Sequence, residues 1–232
     1  MATPERIVLS WSGGKDSCLA LAALVAGGEW TVAGLLTTIT EGFDRVSMHG
    51  VRLEAVRRQA AALGFPLDTV FIPQQATNAA YEVAMEQALT RYRAAGVSAI
   101  AFGDLFLEDI RRYREERLAG TGLTPVFPVW HRDTRGLARD FISQGYKAIL
   151  TCVDTRVLAP SFAGRPFDEA LLADMPPAVD PCGEHGEFHT FVFDGPLFRR
   201  PVRITRGEIV QRDAWCFCDL LPVEGGVEEP YD

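Results

Sequence analysis

Two periods of apolar residues run through the first 128 positions. Short apolar runs occur at Arg6-Ile7-Val8-Leu9-Ser10-Trp11, Thr31 to Thr37, Leu67 to Ile72 and Ala99-Ile100-Ala101-Phe102-Gly103. Their length and continuity predict strands buried on both faces. Between them lie helix-forming stretches, each closed by glycine. Asp16-Ser17 opens the first, which runs through Ala26 to Gly27-Gly28. Arg52 to Leu63 is the second, Asn78 to Ala95 the third and Ile110 to Ala119 the fourth. Pro125 to Pro128 reads as a fifth short strand. Strands alternating with helices of this length predict βαβ units and a parallel sheet with helices on both faces. Ligands of such sheets sit beyond the carboxyl ends of the strands. The loop after the first strand, Thr37, the glycine-bearing loop to His49-Gly50, and Gly103-Asp104 all fall there.

The pattern changes after Pro128. Leu137 to Gln144 reads as a helix and Lys147 to Val153 as a strand, followed by Pro160, Gly164, Pro166, Pro176-Pro177 and Pro181. Phe191 to Phe198 and Pro201 to Ile204 have β character. The expected organisation is a nucleotide-binding domain over 1–128, a smaller α+β lobe over 129–226 and a flexible acidic tail over 227–232.

Composition narrows the class. The chain has 232 residues, 47% of them hydrophobic and 23% charged, ample for a core without disulfides. No apolar run is long enough for a membrane span and no secretory signal pattern opens the chain, so a cytoplasmic location is expected. The five cysteines are scattered and odd in number, which predicts reduced thiols. A net charge of −8 argues against a general nucleic-acid binder. Lys15 and Lys147 are the only lysines among 23 basic residues. Lys15 stands against that arginine bias inside a glycine-rich loop, where a compact ammonium fits better than a planar guanidinium.

That loop is Ser12-Gly13-Gly14-Lys15-Asp16-Ser17. It is shorter than a Walker loop. Two glycines let backbone approach an anion, and the following helix start aims free N–H groups at it. Ser12 and Ser17 add hydroxyls and Lys15 adds charge. Asp16 would repel bare phosphate, so it reads as a magnesium contact or a helix cap.

The hexapeptide after a first strand resembles the PP-loop of the ATP pyrophosphatase superfamily. With Phe102-Gly103-Asp104, Pro128-Val129-Trp130 and Asp180-Pro181-Cys182-Gly183-Glu184-His185-Gly186-Glu187-Phe188-His189-Thr190, the chain resembles the diphthine–ammonia ligase family over nearly its whole length. The resemblance implies a Rossmann-like α/β domain of the adenine nucleotide α-hydrolase type with a smaller C-terminal α+β lobe. It implies an ATP- and magnesium-dependent ligase that adenylates a carboxylate, releases pyrophosphate and forms an amide with ammonia or an amine. Carried over by position, Ser12, Gly13, Gly14, Lys15, Asp16, Ser17, Gly103 and Asp104 would serve the nucleotide, with Lys15 and Asp16 catalytic and Asp16 the magnesium contact. Thr37 and His49 join them by their place at the strand ends. Gly183, Glu184, Gly186, Glu187 and Thr190 would match a C-terminal motif facing the acceptor, with His185 and His189 in the same substrate-binding loop. No membrane or nucleic-acid partner is expected, and a homo-oligomer is compatible with the reading.

Two positions depart from the eukaryotic and archaeal pattern Gly-Glu-Gly-Gly-Glu-aromatic-Glu-Thr. His185 replaces a glycine and His189 a glutamate. Diphthine carries a trimethylammonium group, and exchanging a carboxylate for imidazole removes a negative charge. The histidine form resembles the bacterial branch of the family, whose hosts lack diphthamide, which implies the same ATP chemistry on another acceptor.

Other constellations carry weaker readings. Cys182, His185 and His189 have residue types that bind zinc, against a hydrogen-bonding substrate loop. Cys216 and Cys218 read as buried thiols. Arg111, Arg112 and Arg114 offer one or two side chains to a site, and the rest to solvent. A tRNA-modifying ATP pyrophosphatase and a non-catalytic nucleotide-binding module are the alternative functions.

Overall fold

A computed structural model describes residues 4–47, 49–74 and 77–223. The tail expected at 227–232 lies outside them. The elements are β1 (Glu5–Ser10), α1 (Lys15–Gly27), β2 (Trp30–Thr40), β3 (Arg45–Val46), α2 (Leu53–Leu63), β4 (Leu67–Ile72), α3 (Asn78–Ala94), β5 (Val97–Ala101), α4 (Glu108–Leu118) and β6 (Thr124–Val126). They are followed by α5 (Thr134–Ser143), β7 (Lys147–Asp154), a 3₁₀ turn (Pro160–Phe162), α6 (Glu169–Asp174), β8 (Phe188–Asp194), β9 (Ile204–Arg212) and β10 (Trp215–Pro222).

The first sheet is parallel in the order β4-β2-β1-β5-β6, with β3 added antiparallel to the end of β2. Its helices divide between the faces. Cys18, Leu21 and Leu24 of α1 and Val56, Ala60 and Leu63 of α2 join one core cluster. Ala88 and Leu89 of α3 and Leu118 of α4 join the other. The strand order reverses at β1, whose carboxyl end carries the glycine-rich loop. β2 runs beyond the expected Thr37 because Thr38, Ile39 and Thr40 keep pairing with Val70, Phe71 and Ile72. β-Branched residues suit such a ladder.

The second sheet is antiparallel in the order β8-β7-β10-β9. Three expectations change here. Phe188, His189 and Thr190 lie on β8, paired with β7, and not in a loop. The β structure expected through Phe198 stops at Asp194, and β9 begins only at Ile204. Pro196 and Pro201 have no N–H to give a ladder. β10 and the short α6 were not anticipated. In β10 the buried Cys216, Cys218 and Leu220 follow the strand's period of two, so both cysteines share the inner face. All five cysteines are free and buried.

One continuous core spans both sheets, joining Ile7 and Leu9 of β1 to Phe188 and Phe191 of β8 and Cys216 of β10. Among the described residues no helix is long and apolar enough to cross a membrane.

Candidate active site

The glycine-rich loop turns from β1 into α1. Gly13 has φ +81°, and a side chain there would also meet Gln59 Oε1 at 2.9 Å. The turn is closed locally by Ser12, whose hydroxyl accepts the Gly14 N–H at 3.2 Å, and by Ser17, whose hydroxyl donates to the Gly14 carbonyl at 2.9 Å. Gly14 itself caps α1, so Asp16 is not the cap; it lies in the first helical turn.

Distant parts of the chain complete the loop. The Lys15 N–H donates to Thr190 Oγ1 at 3.0 Å, and the Val192 N–H donates to the Gly13 carbonyl at 2.9 Å. Gln59 of α2, fully buried, accepts from Trp11 Nε1 at 2.9 Å and donates to the carbonyls of Gly13 and Val192 at 2.9 and 2.5 Å. Gly103, after β5, packs so close to α1 that a Cβ would lie 2.9 Å from the Asp16 carbonyl group and 3.0 Å from the Ser17 nitrogen.

The Lys15 side chain is only 2% exposed. Its ammonium donates to both Asp16 carboxylate oxygens at 2.9 Å and to the carbonyl of Cys182, and lies over the rings of Phe188 and Phe167. Burial, the largest single influence, opposes its charge, but Asp16, Cys182 and Glu184 together outweigh it and the Lys15 pKa is raised. Burial also pushes the Asp16 carboxyl above its usual range, against the pull of Lys15. The carboxylate is 32% exposed toward the cleft.

These groups line a cleft of 320 Å³ at the carboxyl ends of the parallel strands. Of the residues singled out from sequence, Ser12, Gly14, Lys15, Asp16, Ser17, Thr37, His49, Gly103, Asp104, Gly183, Glu184, His189 and Thr190 line it. Gly13, His185 and Glu187 do not. Gly13 faces Gln59 and Phe191 instead. His185 is exposed, edge-on to Phe106 at 5.3 Å. Glu187 is buried, with one oxygen accepting the Asp180 N–H at 3.0 Å and the other without a partner among the described residues. A larger cavity of 490 Å³ between α3 and α4 adjoins the cleft through Tyr81, Met85, Phe102 and Arg114.

Glu184 crosses from the second lobe to the first. Its Oε1 accepts the N–H groups of Leu105 and Phe106 at 2.7 and 3.3 Å. Burial is the main cause that moves its pKa to about 6. Burial, followed by the Lys15 charge, lowers His189 to about 4. Burial, then His189 and Lys15, holds His49 well below its ordinary value. The rings of His49 and His189 meet, and His189 also stacks on Trp215 at 6.4 Å. The residues assigned separately to nucleotide and acceptor therefore share one wall. Thr37 Oγ1 and His49 Nδ1 are buried there without partners among the described residues.

Cys182, His185 and His189 do not converge. The Cys182 thiol donates to the Thr134 carbonyl at 3.2 Å, His185 faces outward and His189 lies beside His49. Among the described residues no group of three or more His, Cys, Asp or Glu could hold a metal ion. Asp104 is held bidentate by Arg114 at 2.6 and 3.1 Å, and that guanidinium lies 4.3 Å over Phe102. Arg111 stacks on Phe127 and Trp130 instead, and Arg112 is exposed.

Sequence reasoning missed Gln59, Asp180 and Trp215. Gln59 had a signal: it is the polar residue on the buried stripe of α2 with Val56, Ala60 and Leu63. Asp180 fixes the segment that follows it by accepting from Cys182 N at 2.8 Å and from Thr134 Oγ1 at 2.7 Å. Its place before Pro181-Cys182-Gly183 is a turn signal.

Comparison with known proteins follows the same two lobes. The profile of the diphthamide synthase N-terminal domain matches residues 5–124, and that of the diphthamide synthase C-terminal domain matches residues 133–223. The chain is 28% identical to a diphthine–ammonia ligase of Bos taurus, over 93% of this chain and 88% of that one. It is 30% identical to a diphthine–ammonia ligase of Danio rerio, over 88% of each. Among solved structures, the U34-tRNA thiolase NcsA from Methanococcus maripaludis superposes with a TM-score of 0.37 at 17% identity, covering 60% of this chain and 57% of that one.

Proposed function

Because the chain belongs to the diphthamide synthase family, we propose that it is an ATP-dependent ligase of the diphthine–ammonia ligase type, joining a carboxylate to ammonia or an amine. The observation that carries this reading is the bond from the Lys15 N–H to Thr190. It sets the phosphate-type loop and the C-terminal acceptor segment against each other in one cleft. We assign 1–128 to the ATP-binding domain and 129–226 to the acceptor lobe.

The cleft fits a nucleotide. The N–H groups at the start of α1 and the hydroxyls of Ser12 and Ser17 suit phosphates. The unpartnered Thr37 Oγ1 and His49 Nδ1 suit the polar edges of the nucleoside. Magnesium fits a site of this kind, since it is commonly held by one or two carboxylates together with substrate phosphates. Asp16 is the carboxylate that would hold it, because its side chain is 32% exposed in the cleft, whereas Asp104 is 15% exposed and held bidentate by Arg114. When bound, the ion would neutralise charge on the phosphates.

In this mechanism a carboxylate oxygen of the acceptor attacks the α-phosphorus, and the α–β bridge bond breaks to release pyrophosphate. The loop N–H groups and the Lys15 charge stabilise the phosphate oxygens as that charge develops. The nitrogen lone pair of ammonia then attacks the acyl carbon. The bond to AMP breaks, and one proton leaves the nitrogen to give the amide. Gly183, Glu184, His189 and Thr190 shape the acceptor side. His189, held neutral, lacks the negative charge that a trimethylammonium group would seek, so the acceptor is taken to be a carboxylate other than diphthine.

The test is a product analysis with ATP, magnesium, ammonium and a panel of carboxylic acids. AMP and pyrophosphate should appear in equal amounts, dependent on both acid and ammonium, and Lys15→Ala should abolish them. Production of ADP and phosphate, or full turnover by Lys15→Ala, would overturn the assignment.

A further inference from the structure

The phosphate-loop lysine is anchored to the acceptor segment before any nucleotide is considered. Its ammonium has three N–H donors. They serve Asp16 and the carbonyl of Cys182, in a pocket closed by Phe188 and Phe167. The two partners differ in what they lose if the lysine moves. Asp16 is a third exposed toward the cleft and can turn to water or to a cation. Cys182 is 1% exposed. Its carbonyl would be left buried without a donor, the costlier loss.

We propose that Lys15 is a positioning residue for the acceptor segment 180–187, and that it ties this segment to the nucleotide by keeping Cys182 and exchanging Asp16 for phosphate oxygen. The inference rests on the reading of the cleft as an ATP site. Glu184 ties the segment to Leu105 and Phe106, and Asp180 and Cys182 tie it to Thr134; Lys15 is its tether to α1. Asp180 collects the Cys182 and Glu184 N–H groups, and Gly183 and Gly186 donate to the carbonyls of Asp180 and Gly183. Gly183 and Gly186 both have positive φ, at +69° and +84°. A side chain on Gly183 would also come 2.8 Å from the Phe188 carbonyl. The turn is therefore internally bonded, and the Lys15 ammonium fastens it to α1. With the nucleotide bound, one ammonium would bridge phosphate and turn, so the acceptor side would be firmest when ATP is present. Binding of ATP and ordering of the acceptor segment would then favour each other by the same factor.

Backbone hydrogen exchange at Gly183, Glu184 and Gly186 tests this in the full chain. Relative to wild type without nucleotide, Lys15→Met should speed exchange at these amides about tenfold or more, the equivalent of an orphaned carbonyl. Asp16→Asn should leave them within about a factor of two of wild type, because the Cys182 bond survives. Saturating MgATP should slow them about threefold in wild type. Unchanged amides in Lys15→Met, or equal loosening by Asp16→Asn, would overturn the proposal. So would faster exchange with MgATP, because Lys15 would then be leaving Cys182 for the phosphates. Amides of β1 and β7 report whether a variant is folded, and the wild-type MgATP arm decides if Lys15→Met is not. Calorimetry on the same samples separates the two readings. If wild type does not bind ATP, the functional assignment fails, and the Lys15→Met arm still decides the anchoring role.

Discussion

The imidazole of His189 meets that of His49 edge to face, with ring centroids 4.2 Å apart. Two neutral rings are stable so close together; two protonated rings would repel. Between pH 6.5 and about 4 the unfolded chain takes up a proton that His189 refuses in the native state, so acidification through that window destabilises the fold. Glu184 acts in the opposite sense. Its native carboxyl keeps a proton up to about pH 6, whereas unfolded it ionises near 4.5, so its contribution is lost as pH rises between those values. Thermal midpoints measured from pH 4 to 7 should separate them. His189→Gln should flatten the acid-side loss and Glu184→Gln should steepen it, each by about 3 °C across the window.

Gln59 satisfies three groups with one side chain. Gln59→Leu keeps its bulk but leaves Trp11 Nε1 and the Val192 carbonyl without that partner. Urea unfolding should show a loss of about 3 kcal/mol. Calorimetry should show weaker ATP binding, because Gly13 loses one of its two donors.

Gly103→Ala should act on the nucleotide more than on the fold. The new methyl would press on the backbone of Asp16 and Ser17, displacing the start of α1. ATP affinity should drop about tenfold, with an unfolding midpoint little changed, since loop geometry matters at fractions of an ångström. Equal affinity would show that the β5 end does not shape the site.

Asp219 of β10 joins the lobes through Arg52 at 2.6 Å and Arg45 at 2.8 Å. Those arginines, Arg52 first, hold its carboxyl at about 2. The resulting stability is present above pH 3.8 and is lost as pH falls toward about 2. Asp219→Asn should cost about 1 kcal/mol at neutral pH, discounted because both arginines are a third or more exposed. The difference from wild type should shrink with acid and with added salt in urea titrations.

The parallel sheet was legible because its strands are continuous apolar runs and its helices end at glycines. The turn from Ser12 to Ser17 was legible because its two glycines sit between an apolar strand and a strong helix former. The second lobe was less so. β10 alternates between Cys216, Cys218 and Leu220, but the cysteines drew attention as thiols and hid the period. The placement of His189 and Thr190 on a strand depended on pairing with Cys152 and Leu150, which no local pattern encodes. The meeting of His49 with His189 is likewise a tertiary fact. Spacing placed Lys15 in the glycine-rich loop, but the direction of its side chain depends on Cys182, 167 positions away.

Thr190 and Val192 finish a loop that begins at Ser12. During synthesis from the N-terminus, the hexapeptide leaves the ribosome long before the strand that braces it. A nascent chain that ends at residue 128 carries the recognisable motif without its support. ATP would therefore be a late ligand of the growing polypeptide, gaining its full hold only after β8 has emerged and docked.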